Sequence, residues 1–407
     1  MENRYDKYKD SGIAWIGEIP EHWKVKKGKN LFKKEERPVR DNDEIVTCFR
    51  DGEVTLRSNR RIDGFTNAMK EVGYQGVRRG DLVIHNMDAF AGAIGVSDSD
   101  GKSTPVYSVC TPKNNVEANV YYYAYLLRSY ALGGVIQSLA KGIRERSTDF
   151  RYKEFGDLYY QQPPIEEQQS IASYLDQKCG EIDKLITLQE EMITKLQSYK
   201  QSVITEAVTK GLDKNLPLKD SGIEWIGEIP EHWSVVKIKY LAKIKSGDSI
   251  SSNEIMQEGI YEVYGGNGLM GFCNKKNVDG VNIIIGRVGA LCGNVRLISE
   301  SKFITDNALI LNCFDNALYS YMYIMLKAAN LNNLNTSNAQ PLITGSKVLN
   351  VSLPTPPLSE QQSIADYLDQ KCSEIDELIS IKQQKIEKLK DYKKSLIFEC
   401  VTGKRKV

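Results

Sequence analysis

Hydrophobic positions follow two kinds of pattern along the chain. In the first, they recur every seven residues at Leu175, Ile182, Leu196 and Val203, with Ile171, Leu185, Met192 and Tyr199 between them. The same spacing returns at Leu368, Ile375, Leu389 and Leu396, with Ile364, Leu378 and Tyr392. Such a repeat is the seam of a coiled coil. It predicts two helices of about 40 residues, each about 60 Å long. Pro163-Pro164 and Pro356-Pro357 block an earlier start to either helix. Ser359 and Gln362 have capping-box spacing, and Glu166, Glu167 and Glu360 suit the positive end of a helix dipole. Gln189 and Lys382 interrupt the seam at corresponding places. They either meet and fix an antiparallel register, or face solvent.

In the second pattern, apolar runs are short and mixed. Asp81–Asn86 and Val281–Ile285 read as strands; Val120–Tyr130 and Ala317–Ala329 read as apolar helices whose tyrosines pack a core. Thr209–Leu218, with Gly211 and Pro217, ends the first long helix in a turn rather than a flexible linker.

The chain is written twice. Lys9–Trp23 reads KDSGIAWIGEIPEHW and Lys219–Trp233 reads KDSGIEWIGEIPEHW. Pro163–Ile186 reads PPIEEQQSIASYLDQKCGEIDKLI and Pro356–Ile379 reads PPLSEQQSIADYLDQKCSEIDELI. The first pair is offset by 210 residues and the second by 193, so the first variable segment is 17 residues longer. The plan is constant, variable, constant, and then the same again. It divides the chain into a first variable domain with its constant leader (1–162), a long helix (163–210), a second such domain (211–355) and a second helix with its tail (356–407).

Composition narrows the function. The net charge is +1, yet Lys and Arg outnumber Asp and Glu in both 24–162 and 234–355. A neutral total therefore does not exclude nucleic acid. No apolar run approaches the roughly 20 residues of a membrane span, and the polar start MENRYDKYKD is not a signal peptide. A cytoplasmic protein that uses no membrane is expected. The eight cysteines include no C-x-x-C pair and there are three histidines, poor material for a zinc site; buried reduced thiols are expected.

Catalytic motifs are wanting. No Asn-Pro-Pro-aromatic motif stands with a Gly-rich cofactor loop, as an adenine methyltransferase would need. Gly101-Lys102-Ser103 supplies the tail of a P-loop, but its first glycine falls on Val96, so a loose turn is expected. Asp176-Gln177-Lys178 and Asp369-Gln370-Lys371 mimic the end of a nuclease motif inside the long helices, where charge is solvated or faces a partner. His22 and His232 are repeat-equivalent and read as structural. No catalytic site, metal site or cofactor of its own is expected. A scaffold with two protein-binding heads is the rival reading, against which the basic excess of both variable segments argues.

W-I-G-E-I-P-x-H-W opening each half, then a long variable segment, then P-P-[IL]-x-E-Q-Q before a long helix, resembles type I restriction-modification specificity subunits over essentially the whole chain. Tyr264–Gly268, Gly286–Val295 and Asn338–Thr344 are similar to the family's second-domain patterns, and Lys141–Phe150 to its first-domain ending. The resemblance implies an α+β chain with two mixed α/β target recognition domains. Two long helices would separate them, paired as an antiparallel coiled coil with a pseudo-twofold repeat. Each domain would read one half of a bipartite site in double-stranded DNA. Two methyltransferase subunits would supply S-adenosylmethionine chemistry on adenine, and two restriction subunits would use ATP and Mg2+.

Arginine suits guanine, and Asn or Gln suits adenine, among base-reading side chains. In the first domain the candidates are Arg57, Arg60 and Arg61, Arg78 and Arg79, and Lys141, Arg144, Arg146, Ser147 and Thr148. In the second they are Asn267, Lys275, Lys276, Arg287, Asn335, Thr336, Ser337, Asn338 and Gln340. Trp15, Trp23, Trp225 and Trp233 recur while the readers differ, so they belong to the frame or to a partner's docking site.

Overall fold

The computed structural model describes residues 4–60, 72–139, 149–289, 291–334 and 341–407. Two compact units emerge, and neither is a sequential half of the chain. One joins residues 1–189 to 384–407; the other is Glu190–Gln383. Each contains one variable head, the first part of one long helix and the last part of the other. The long helices are Ile165–Lys210 and Leu358–Val401, 46 and 44 residues. Both begin directly after their Pro-Pro pair, where proline's missing N–H costs nothing.

In the first unit the variable segment leaves and returns through one ribbon. Lys24–Lys27 pairs antiparallel with Tyr159–Gln162. Beyond it lies a four-stranded antiparallel sheet in the order Phe32–Lys34, Tyr107–Pro112, Leu82–His85, Ile94–Val96. The head helix Val120–Leu132 packs on that sheet, with Asn119 accepting from Tyr121 N and Tyr122 N as its N-cap. Trp23, Leu31, Phe32, Leu82, Tyr122 and Leu126 form the core together with Ile171 and Leu175 from one long helix and Leu396 and Val401 from the other.

The second unit repeats the plan with different residues. Ser234–Lys237 pairs with Ser352–Thr355 as its ribbon. Its sheet runs Ala242–Ser246, Ala308–Cys313, Asn282–Gly286, Val295–Ile298, the same order and sense. Its head helix is Tyr319–Ala328. Trp233, Ile283, Leu311, Met325 and Leu326 pack against Val203 and Val208 of one long helix and Ile364 and Leu368 of the other. This unit adds a three-stranded sheet, whose Tyr261–Gly265 and Gly268–Cys273 strands form a hairpin.

The strands and helices expected from apolar runs are present: Leu82–His85, Asn282–Gly286, Val120–Leu132 and Tyr319–Ala328. The helices pair antiparallel in each unit. Lys393 Nζ meets Asp183 at 2.7 Å in the first, and Lys200 Nζ meets Asp376 at 2.6 Å in the second.

Three expectations need correction. Leu185, Met192, Tyr199, Leu378 and Tyr392 are exposed, so the Leu175 and Leu368 lines are buried or half-buried, while their companion lines are buried only at Ile171 and Ile364. The capping box is not formed. Leu358 already begins the helix, so Ser359 lies in its first turn, and Gln362 bonds Asp366 instead. Gly101–Ser103 is a short strand paired with Gln75–Val77, not a turn. Gln189 is buried, while Lys382 is half-buried with Nζ 3.6 Å from Met192 Sδ. Six of the eight cysteines are buried and the other two half-buried, all as free thiols. No helix among the described residues is long and apolar enough to cross a membrane.

Candidate nucleic-acid interface

The central strand of each head ends at an equivalent residue. Asn86 N donates to Val106 O at 2.9 Å, and Phe150 N donates to Asn86 O at 3.0 Å. In the second head Arg287 N donates to Asn307 O at 3.0 Å, and Ile343 N donates to Arg287 O at 2.9 Å. Asn86 and Arg287 therefore share one place in two diverged folds. Lys141–Thr148 stands just before Phe150, and 335–340 just before Ile343. The two polar runs singled out in the sequence thus lead into corresponding points of the sheets. Arg61, Lys141, Arg144, Arg146, Ser147, Thr148, Asn335, Thr336, Ser337, Asn338 and Gln340 themselves lie outside the described residues.

At this end the first head has a groove of about 770 Å³, lined by Lys34, Met87, Val106, Arg151 and Lys153 among others. The second has one of about 300 Å³, lined by Gly266, Asn267, Leu269, Met270, Val288 and Asn307 among others. Both mix apolar and polar side chains, as base edges and thymine methyls require.

Basic candidates differ in what already holds them. Arg78 is turned inward, its side chain 15% exposed, with Nη1 3.1 Å from Asp43 Oδ2. Arg60 is gripped by Asp51 and Glu53 and lies over the Phe49 ring. Its hydrogen bond to Asp51 raises its pKa above the usual arginine range. Arg57 Nε reaches Thr47 Oγ1 at 3.3 Å, and Arg79 Nε donates to Asp98 O at 2.6 Å. Lys275 pairs with Glu254 at 2.6 Å, a bond that holds the Glu254 carboxyl down to about 2. Lys276 pairs with Asp279 at 2.8 Å. Asn267 is exposed at the tip of the Gly265–Gly268 turn, and among the described residues the Arg287 side chain has one long contact, Nη1 to Ser246 Oγ at 3.5 Å.

The constant residues build a socket in each unit. Glu167, in the first turn of its helix, accepts from Trp23 Nε1 at 3.1 Å, lies 2.9 Å from His22 Nε2 and binds the Tyr5 hydroxyl. Glu360 accepts from Trp233 Nε1 at 2.9 Å and lies 2.7 Å from His232 Nε2. Gln168 and Gln361, the next residues, accept from Asn119 N and Leu318 N at the starts of the head helices. Tyr122 donates to Val401 O at the far end of one long helix, and the Tyr321 hydroxyl lies 3.2 Å from Pro354 O and 3.5 Å from Val208 O near the far end of the other. There Gly403 and Gly211, at φ +74° and +73°, pass against the Trp23 and Trp233 rings, where a side chain would be strained. Trp23 and Trp233 thus belong to the frame. Trp15 and Trp225 stay 42% and 41% exposed.

Reasoning from sequence assigned Glu167 and Glu360 to the helix dipole and missed this second role. The signal was present: His-Trp and Glu-Gln-Gln are both kept between the copies. Among the described residues no group of His, Cys, Asp and Glu could hold a metal ion.

Comparison with known proteins agrees with the pattern. The profile described as "Type I restriction modification DNA specificity domain" matches residues 230–391. A putative type I restriction enzyme MjaX specificity subunit of Methanocaldococcus jannaschii is 27% identical over 96% of both chains. The EcoprrI specificity subunit of Escherichia coli is 33% identical over 32% of this chain and 33% of its own. Among solved structures, a chain from a study of assembly and conformational transition of the type I R-M system aligns with TM-score 0.75 at 17% identity, covering 94% of this chain and 98% of its own. The HsdS subunit of Thermoanaerobacter tengcongensis aligns at TM-score 0.56 and 17% identity, over 95% and 98%. Residues 230–391 thus carry the pattern of a type I restriction modification DNA specificity domain, and the chain as a whole is similar in sequence and fold to type I specificity subunits.

Proposed function

We propose that each head reads one half of a bipartite site in double-stranded DNA. The frame carries two adenine methyltransferase subunits and two restriction subunits. The observation that carries this reading is the pairing of like with unlike. Two sockets repeat the same Glu, His and Trp, and two heads share a sheet order but not a surface. A frame kept constant serves what is common to both halves; heads that differ serve two targets.

Exposed apolar residues on the long helices support a docking role for the frame. Leu185, Leu188, Met192 and Tyr199 lie on one helix, and Leu378, Ile381 and Tyr392 on the other. Trp15 and Trp225, in the constant leader of each half, are comparably exposed. S-adenosylmethionine, ATP and Mg2+ are then held by the partner subunits.

Sequencing the host methylome with and without this gene tests the reading. The expected result is adenine methylation at a motif of two specified parts around an unread spacer, lost on deletion. Methylation of a continuous motif, or no change on deletion, overturns it.

A further inference from the structure

The second head is poor in arginine. Between residues 234 and 355 the sequence holds two, Arg287 and Arg296. They stand at the same end of the head and are treated differently. Arg296 Nη2 donates to Asn267 O at 2.9 Å, and its Nη1 lies 3.4 Å from Gly266 O. Its fork is spent on holding the Gly-Gly-Asn-Gly turn in place.

Arg287 has no such engagement. Among the described residues its guanidinium makes one contact, 3.5 Å from Nη1 to Ser246 Oγ. Its Nε is buried and has no hydrogen-bond partner among the described residues. Native structures rarely leave a buried donor unpaired, and such a group calls for an explanation. The backbone beneath it, by contrast, is fixed from several sides. Arg287 N bonds Asn307 O, and Ile343 N bonds its carbonyl. Gly289 N bonds Pro341 O at 3.2 Å, and Val288 bridges Leu342. The preceding Gly286 lies so close to the turn that a Cβ there would come within 2.4 Å of Gly266 O. A rigid backbone that presents a half-buried guanidinium held by one long contact is how a specificity contact is preorganised.

We propose that Arg287 is the guanine-reading residue of the second head. Its terminal nitrogens donate to O6 and N7 of one guanine in the major groove, the bidentate pairing that arginine's planar fork fits. The proposal rests on the DNA-reading function above. Lys275 and Lys276 do not compete for this role, because each is held by a carboxylate. A phosphate contact is the alternative, and it differs in its signature: it positions the protein without reading sequence.

The test uses the chain assembled with its methyltransferase subunit, as wild type, R287Q and R287K. Wild type defines the motif, and exchanging the first head identifies which half belongs to the second. In R287Q, one guanine of that half becomes degenerate, with discrimination falling about 10- to 100-fold, and the other half stays unchanged. R287K behaves likewise, because an ammonium keeps the charge but not the fork. If neither variant methylates, competition binding of the R287K complex to the four base pairs at that position decides, and loss of the guanine preference supports the assignment. A retained guanine preference overturns it. So does a uniform loss of affinity with an unchanged motif and a shallower salt dependence, the mark of a phosphate contact. A wild-type complex with no bipartite motif would instead sink the DNA-reading function, and this proposal with it.

Discussion

The two heads share a sheet order and spend their arginines differently. The first holds twelve arginines between residues 24 and 162, the second two between 234 and 355. In the first, Arg37, Arg40, Arg50, Arg60, Arg78 and Arg151 all pair with acids of the same head. In the second, one arginine clamps a turn and the other has, among the described residues, no acidic partner and one 3.5 Å contact to Ser246. Counting basic residues therefore overstates what the first head offers a ligand, and understates what one arginine can do in the second.

Substitutions can break that contrast. The largest effect is expected at Arg78. Removing one partner of a buried pair strands the other charge, so Arg78→Ala should cost about 3–5 kcal/mol in chemical denaturation while leaving the methylated motif intact in the surviving complex. A changed motif with little loss of stability would make Arg78 a reader after all. Trp23→Ala and Trp233→Ala should each cost about 3–5 kcal/mol as well. Both rings are almost wholly buried in matching sockets, so their two losses should agree. A large cost at one site and little at the other would mean that the sockets are alike in shape but not in weight.

Smaller effects sharpen the comparison. Glu167→Gln and Glu360→Gln keep the shape and remove the charge from the Trp and His bonds, at about 1–3 kcal/mol each. Glu167 also binds Tyr5, so its loss should be the greater. Equal losses measured by denaturation would show that the tyrosine contributes nothing. The exposed pairs Lys200–Asp376 and Lys393–Asp183 should matter least, with less than about 1 kcal/mol lost on Lys→Ala, fading with salt.

Much of the frame was legible in the sequence, because repeats and seven-residue periods are local signals. The Pro-Pro starts, both long helices and the Gly211 ending stand where the pattern put them. The seam was overread: period alone marks apolar lines, and does not say which one a second helix covers. The heads were legible only in pieces. The equivalence of Asn86 and Arg287 depends on strand pairing across more than fifty residues, which leaves no trace in either sequence. Nor does sequence separate a paired arginine from an unpaired one, since Asp43 is 35 residues from Arg78.

The central claim, two independent readers on one duplicated frame, is tested most directly by exchange at the ribbon. Replace Lys24–Gln162 with the corresponding segment of a relative that has a different target. Its ends are zipped together in the Lys24–Lys27 and Tyr159–Gln162 pair, so the graft joins where the first head already begins and ends. The account predicts, by methylome sequencing, that one half of the motif changes and the other half keeps every specified base. A change in both halves would contradict it.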